Sequence, residues 1–359
     1  MEYKKLGDIC DIASGGTPLR SKLEYWSDGT IPWLKITNIK EKYISKANEY
    51  ITQSGLDNSS AKMFSKGTVL YTIFATLGEV GILDFEASTN QAIAGIKVKD
   101  DDKLNREYLY YFLKSKKNYV NGIGRGVAQN NINMSILRNF KIPLPNLSVQ
   151  NKIVNVLNRV SNVIEWRKNQ ISKYDELIKA RFVEMFGDPI TNSRNLPVLA
   201  LSELGEFGRG VSKHRPRNAP ELLGGKYPLI QTGEIANSGL YIEKYENTYS
   251  ELGYKQSKMW QAGTLCITIA ANIAKTSILT FDACFPDSVI GFCANDKTNN
   301  IFMHYWFSFF QEILENQAPA SAQKNINLHI LNRLKVIVPP IELQNQFADF
   351  VKQIDKSKF

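Results

Sequence analysis

The sequence predicts an α/β (α+β) chain made of two duplicated domains, separated by a long coiled-coil helix, with a shortened second helix at the C-terminus. Three observations carry this. The chain repeats itself at a fixed offset, each copy runs from apolar strand-like segments to an amphipathic helix, and a Pro- and Gly-free stretch lies between the copies. The expected boundaries are residues 1–147, 148–187, 188–340 and 341–359.

The repeat is found by setting residue n against residue n+196. Pro32 meets Pro228, Ile39 meets Ile235, Lys62-Met63 meets Lys258-Met259, and Gly67-Thr68 meets Gly263-Thr264. Residues 32–96 hold 17 identities in 65 positions without a gap. Farther on the offset is 194, so that Asn131-Ile132-Asn133 meets Asn325-Ile326-Asn327 and Gln150-Asn151 meets Gln344-Asn345. The period is too long for a solenoid, so each copy is a domain with its own surface.

Within a copy, Thr68 to Ile73 and Thr264 to Ile269 are β-branched, apolar runs bounded by Gly and read as buried strands. Lys5 to Ala13 and Val198 to Phe207 are short apolar entry segments, helix or strand. Glu107 to Tyr119 and Phe302 to Glu315 are amphipathic helices. Their aromatics (Tyr108, Tyr111, Phe112; Tyr305, Trp306, Phe309, Phe310) are spaced for a core.

Pro143 and Pro145 close the first copy, and Ser148 is the expected N-cap of the helix that follows. Val149 to Met185 contains no Pro or Gly, and a 4-3 spacing runs from Ile153 and Leu157 through Ile178 to Met185. Gly187-Asp188-Pro189 stops it. Thirty-seven residues extend about 55 Å, on the order of 16 base pairs of B-DNA. The second helix, after Pro339-Pro340, places Leu343, Phe347, Phe350 and Ile354 in its seam. An antiparallel pairing would leave roughly Trp166 to Met185 of the long helix uncovered unless a partner covers it.

Composition narrows the function classes. Lys plus Arg is 44 against 35 Asp plus Glu, a net charge of +9, which favours a polyanionic partner, nucleic acid first. Met1 to Gly7 is polar, and the most apolar stretch, Leu265 to Ala274, is about half the ~20 residues a membrane span needs. Four scattered cysteines and three histidines give neither a disulfide framework nor a zinc site, and a reducing cytoplasm fits. Catalytic motifs are missing too. Val338-Pro339-Pro340-Ile341 lacks the polar residue and aromatic of an adenine methyltransferase loop. Gly224-Gly225-Lys226 is followed by Tyr227 and fails as a P-loop. No enzyme activity, cofactor or metal is expected.

The order of motifs resembles the specificity (S) subunit of type I restriction–modification systems. The carrying residues are Leu6-Gly7-Asp8-Ile9 with Gly15-Gly16-Thr17-Pro18, Glu24-Tyr25-Trp26, Ile31-Pro32-Trp33, Gln129 to Asn133 through Ile142-Pro143-Leu144-Pro145 to Gln150, and Arg181 to Asp188. The second copy repeats the pattern at Ala322-Gln323 to Ile326, Pro339-Pro340 and Gln344. The resemblance implies two target-recognition domains, each reading half of a split target in double-stranded DNA. It implies a helical spacer that docks methylation (M) subunits, a restriction/translocase (R) subunit joined through them, and catalysis in those partners. Two readings stay open beside it: a methyltransferase or nuclease with unrecognised motifs, and a truncated subunit that binds partners but reads one half-site.

Base readout needs polar side chains on loops, and phosphate contact needs cations. The loop Gly15 to Lys22 offers Thr17, Arg20 and Lys22, and its counterpart offers Arg209, Lys213, His214, Arg215 and Arg217. A second segment offers Lys35, Thr37 and Asn38, matched by Gln231 and Thr232. The turn after the central strand, Thr76 to Glu79 against Asn272 to Lys275, adds Lys275. Lys114, Lys116, Lys117 and Arg125 form a third, phosphate-facing basic group.

Overall fold

The computed structural model describes residues 2–124, 131–270, 273–317 and 328–358. Arg125, Gln129, Asn130, Asn272 and the Ala322–Asn327 part of the repeat lie outside the described residues. The chain divides into two compact units, residues 1–166 and 167–359.

Both units contain the same three sheets in the same strand order. In unit 1 a five-stranded sheet runs Cys10–Ser14, Ile93–Val98, Val69–Thr72, Val80–Leu83, Tyr43–Ile44, antiparallel except for the parallel last pair. Its sister in unit 2 runs Gly205–Arg209, Val289–Ala294, Leu265–Thr268, Thr276–Leu279, Tyr241–Ile242. A four-stranded sheet lies beside each, and a two-stranded ribbon joins the unit's ends, Tyr3–Lys5 to Lys141–Pro143 and Val198–Ala200 to Lys335–Ile337. The entry segments resolve as strands, Cys10–Ser14 and Gly205–Arg209, each preceded by one helical turn.

The central strands read as unbroken apolar runs because both their faces are covered. Val69 and Tyr71 join a core with Ile82, Leu109 and Leu113, while Leu70 faces a second core with Leu34, Phe64 and Ile93. Unit 2 repeats this. Leu265 and Ile267 pack with Phe302 and Trp306, and Cys266 packs with Ile230, Trp260 and Phe285. The helices Arg106–Ser115 and Asn300–Gln317 thus contribute their aromatics to the core.

The ungapped repeat conceals a slip. Strand residue Tyr43 pairs with Ile82, yet the residue paired with the sister Ile278 is Tyr241, two beyond the 196 offset. Gly55 and Gly253, each pressed under a backbone carbonyl (Tyr25 and Leu222), keep the same slip, which is undone by Met63 and Met259.

The long helix spans Leu147–Phe186. It begins before Ser148, because the Asn146 side chain accepts a hydrogen bond from Val149 N at 3.0 Å. It ends where Gly187 adopts φ 77° and donates its N–H to Val183 O at 2.8 Å. Asp188 then accepts from Ile190 N and Thr191 Oγ1, which lowers its carboxyl pKa.

Within unit 2 the last turns of this helix are covered, not bare. Ile178, Phe182 and Phe186 are fully buried against Phe302 and Phe347, the latter from the closing helix Ile341–Lys356. Met185 packs half-buried against the same cluster and the Arg181 guanidinium lies 5.7 Å from the centre of the Phe350 ring, so the expected 4-3 seam through 178, 181 and 185 is engaged and Phe182 and Phe186 widen it. Farther back Trp166, Ile171 and Leu177 stay exposed, and a bare stripe runs on in unit 1 at Val156, Val160, Val163 and Ile164, which are 50–61% exposed. Among the described residues no helix is long and apolar enough to cross a membrane.

Candidate nucleic-acid interface

One end of each five-stranded sheet gathers the candidate segments. In unit 1, Ser14 pairs with Ala94, and Thr72 with Ile93. The loop after Ser14, the residues before Ile93 and the turn between Thr72 and Val80 therefore emerge together. In unit 2 the same register, Arg209 with Ile290 and Thr268 with Val289, brings out the loop after Arg209 and the turn ending at Lys275.

The exits from the first strands are tight. A Cβ added at Gly15 would collide with Thr89, and one at Gly210 with the Phe285 carbonyl, the sister position of Thr89. Only glycine lets the backbone pass so closely.

In unit 1 the two candidate segments meet on one carboxylate. Arg20 Nη2 donates to Glu49 Oε2 at 2.6 Å, and Lys35 Nζ pairs with the other oxygen. The Arg20 guanidinium also lies 3.6 Å above the Trp26 ring, and Trp33 Nε1 donates to Gly16 O at 3.0 Å. Burial works to raise the Glu49 carboxyl, but hydrogen bonds from Lys35 and Arg20 outweigh it and hold it below the usual range. Thr17 donates to Gln91, and Lys22 donates to Tyr25 OH at 3.0 Å. Thr37 is exposed, whereas Asn38 Oδ1 accepts from Lys35 N at 2.9 Å and shapes the backbone.

In unit 2 the arginines converge on Asp287. Arg217 Nη2 stands 2.5 Å from Oδ1 and Arg215 Nη2 3.4 Å from Oδ2. Arg215 Nη1 also donates to His214 O at 2.8 Å. The backbone N–H groups of Lys213 and His214 both donate to Gln256 Oε1, leaving the Lys213 side chain exposed. His214 faces Glu221 at 3.7 Å, and Arg209 is exposed at the strand end. Gln231 N donates to Glu234 Oε2 at 2.7 Å, at the start of the helix Thr232–Asn237. Lys275 lines a cavity of about 490 Å³ with Asp175, Thr276, His304 and Lys358.

Asp287 is the sister of Gln91 by the 196 offset. The two loops are therefore held at the same place in the fold, by an amide in one unit and a carboxylate in the other. A search for cations alone misses Glu49, Gln91, Gln256 and Asp287, although the offset already aligned Gln91 with Asp287. The third basic group is engaged as well: Lys114 donates to Tyr110 OH, Lys116 lies over Phe112, and Lys117 pairs with Glu79 at 2.6 Å.

These sites present guanidinium, ammonium, amide and hydroxyl donors on a surface, the chemistry of phosphate and base-edge contact. Among the described residues no cluster of three or more His, Cys, Asp or Glu is placed to hold a metal ion.

The sequence pattern described as type I restriction modification DNA specificity domain matches residues 1–173 and again 198–359. The chain belongs to that family. A curated relative, the type I restriction enzyme MjaIX specificity subunit of Methanocaldococcus jannaschii, is 34% identical over 276 residues, 72% of this chain and 63% of the relative. The EcoR124I/EcoR124II specificity subunit of Escherichia coli is 25% identical over 50% of this chain and 48% of its own length. The chain thus spans less than two thirds of these two. The EcoprrI specificity subunit of E. coli is 23% identical over 99% of this chain and 88% of its length. In fold, the crystal structure of the type I restriction–modification S subunit from M. genitalium aligns with a TM-score of 0.56 at 16% identity, covering 99% of this chain and 90% of that one.

Proposed function

We propose that this chain is the DNA-reading subunit of a type I restriction–modification complex, with each unit reading one half of a split target in double-stranded DNA. The observation that carries this is the duplicated sheet end. In both units a loop with cationic side chains leaves the same strand through a pinched glycine and is held at the same sister residue. Gln91 and Asp287 differ, as do Lys35 and Gln231, so two copies of one scaffold present different donors to the bases. The long helix acts as the spacer. Its bare stripe at Val156, Val160, Val163 and Ile164 is a docking surface for methylation subunits, through which a restriction subunit joins. Catalysis belongs to those partners.

The test is selection from a random duplex pool with the full chain and its co-expressed methylation subunits. Enriched sequences are expected to carry two short motifs at a constant gap, with affinity falling steeply as salt rises, because neutralised phosphates release counterions. A single motif, or affinity flat with salt, overturns the reading.

A further inference from the structure

The two units repeat one feature that DNA contact does not use, a buried glutamine at the foot of a helix. Gln150, on the first turn of the long helix, has no exposed surface. Its Nε2 donates to Lys103 O at 2.8 Å and Pro145 O at 2.7 Å, and its Oε1 accepts from Asn105 N at 2.9 Å. Asn105 in turn donates to Asn151 Oδ1 at 2.8 Å and caps the helix Arg106–Ser115 by accepting from Glu107 N and Tyr108 N. One amide therefore ties together the long helix, the proline segment before it and the helix of unit 1.

Gln344 repeats this at the foot of the closing helix, residue for residue at the 194 offset. It too is fully buried. Its Nε2 donates to Lys297 O at 3.0 Å and Pro339 O at 2.8 Å, and its Oε1 accepts from Thr298 Oγ1 at 2.9 Å and Asn299 N at 3.3 Å. Asn299 donates to Asn345 Oδ1 at 3.1 Å and accepts from Phe302 N at 2.8 Å.

Apolar packing at the foot of the long helix is thin. From Leu147 to Trp166 Val154 is the one buried apolar side chain; Ile153 is 36% exposed. Apolar contact tolerates rolling and sliding, whereas a buried amide with every donor and acceptor engaged is satisfied in one orientation. The helix is a lever of about 60 Å, so a tilt of about 3° at its foot swings its far end sideways by about 3 Å.

We propose that Gln150, backed by its sister Gln344, is a positioning residue for two-part DNA reading. Its amide fixes the angle at which the long helix leaves unit 1 and thereby the gap between the half-sites. This rests on the function proposed above. A gap that differs by one base pair needs a shift of 3.4 Å and a twist of about 34°. A directional joint refuses both.

The experiment uses the same selection from random duplexes with the full chain and its methylation subunits, comparing wild type, Gln150→Met, Asn151→Ala and Val154→Ala. Methionine preserves volume and removes the hydrogen bonds. In Gln150→Met the share of selected sites with a gap one base pair shorter or longer is expected to rise about tenfold, with both half-site sequences unchanged. Asn151→Ala removes only the outer bond and shifts the gap in the same direction by less; it carries the test should Gln150→Met fail to fold. Val154→Ala lowers the melting temperature and leaves the gap distribution as in wild type. If Val154→Ala broadens the gap as much as Gln150→Met, or the two polar variants keep the wild-type gap, the inference is overturned. If wild type selects no split motif, the underlying function is what fails.

Discussion

The two ends of the long helix are seated by opposite chemistry. In unit 2, Ile178, Phe182 and Phe186 disappear into a cluster of stacked and edge-on rings with Phe302, Phe309 and Phe347. In unit 1 the foot rests on Gln150 and on a partly exposed polar network, where Lys42 and Tyr111 donate to Asn158 Oδ1 and Asn158 donates to Glu107. Hydrogen bonds from Lys42, Tyr43 and Asn158 overcome the burial that would raise the Glu107 carboxyl and keep it low. The aromatic seat supplies adhesion. The polar seat supplies direction.

That contrast is broken most forcefully by Phe182→Ala. Truncating a fully buried ring in that cluster is expected to cost about 3–5 kcal/mol, taken from the melting of unit 2 while unit 1 melts as before. Calorimetry on the full chain separates the two, and a loss shared equally by both units would show that the seats are not independent.

Acid sharpens the same contrast, because all three histidines lie in residues 167–359. His304, which bonds Thr276 Oγ1 at 2.9 Å, is pushed by burial, and then by Lys358, from 6.5 down to about 4. The folded unit keeps the ring neutral while the unfolded chain takes up a proton. The stability this contributes is whole above pH 6.5 and is lost as pH falls toward 4. Unit 2 should therefore lose roughly 5 °C of melting temperature over that window, and His304→Gln should flatten the loss. An unchanged pH slope in that variant would exclude His304 as its source.

The loops give the smallest and most local effects. Asp287→Asn releases Arg215 and Arg217, and discrimination at the half-site read by unit 2 should fall roughly fivefold, about 1 kcal/mol for a solvent-screened pair. Glu49→Gln should cost about half as much at the other half-site, since Trp26 still holds Arg20. Motif selection reads both. If each variant degrades both halves equally, the units do not read separately.

Much of the scaffold was legible in the residues, for identifiable reasons. Val69 to Thr72 betrays a doubly covered strand because no polar alternation is needed there. The helix between the copies shows itself because nothing in Val149 to Met185 breaks it. Its cap lies two residues before the expected Ser148, because Asn146 and Ser148 are equally good hydrogen-bond acceptors at a helix start and only the backbone path chooses between them. The uncovered stretch expected from Trp166 holds at Trp166, Ile171 and Leu177 and fails from Ile178 on, because which turns the closing helix protects depends on the ring cluster around Phe302. Gln150 and Gln344 stood in the repeat as bare identities. All their partners but the Thr298 hydroxyl are main-chain groups, of Lys103, Asn105, Pro145, Lys297, Asn299 and Pro339, which no side-chain pattern reveals. The basic loops were found, but not the acids that hold them, since Glu49 and Asp287 lie far from them in sequence.

The bare stripe along Val156, Val160, Val163 and Ile164 has a cellular consequence. If the proposed methylation subunits cover that greasy strip, a chain made in excess of them would leave it bare to chaperones and proteases. Surplus copies would then be culled while protected ones survive, and the scarcest component would set how many finished complexes accumulate.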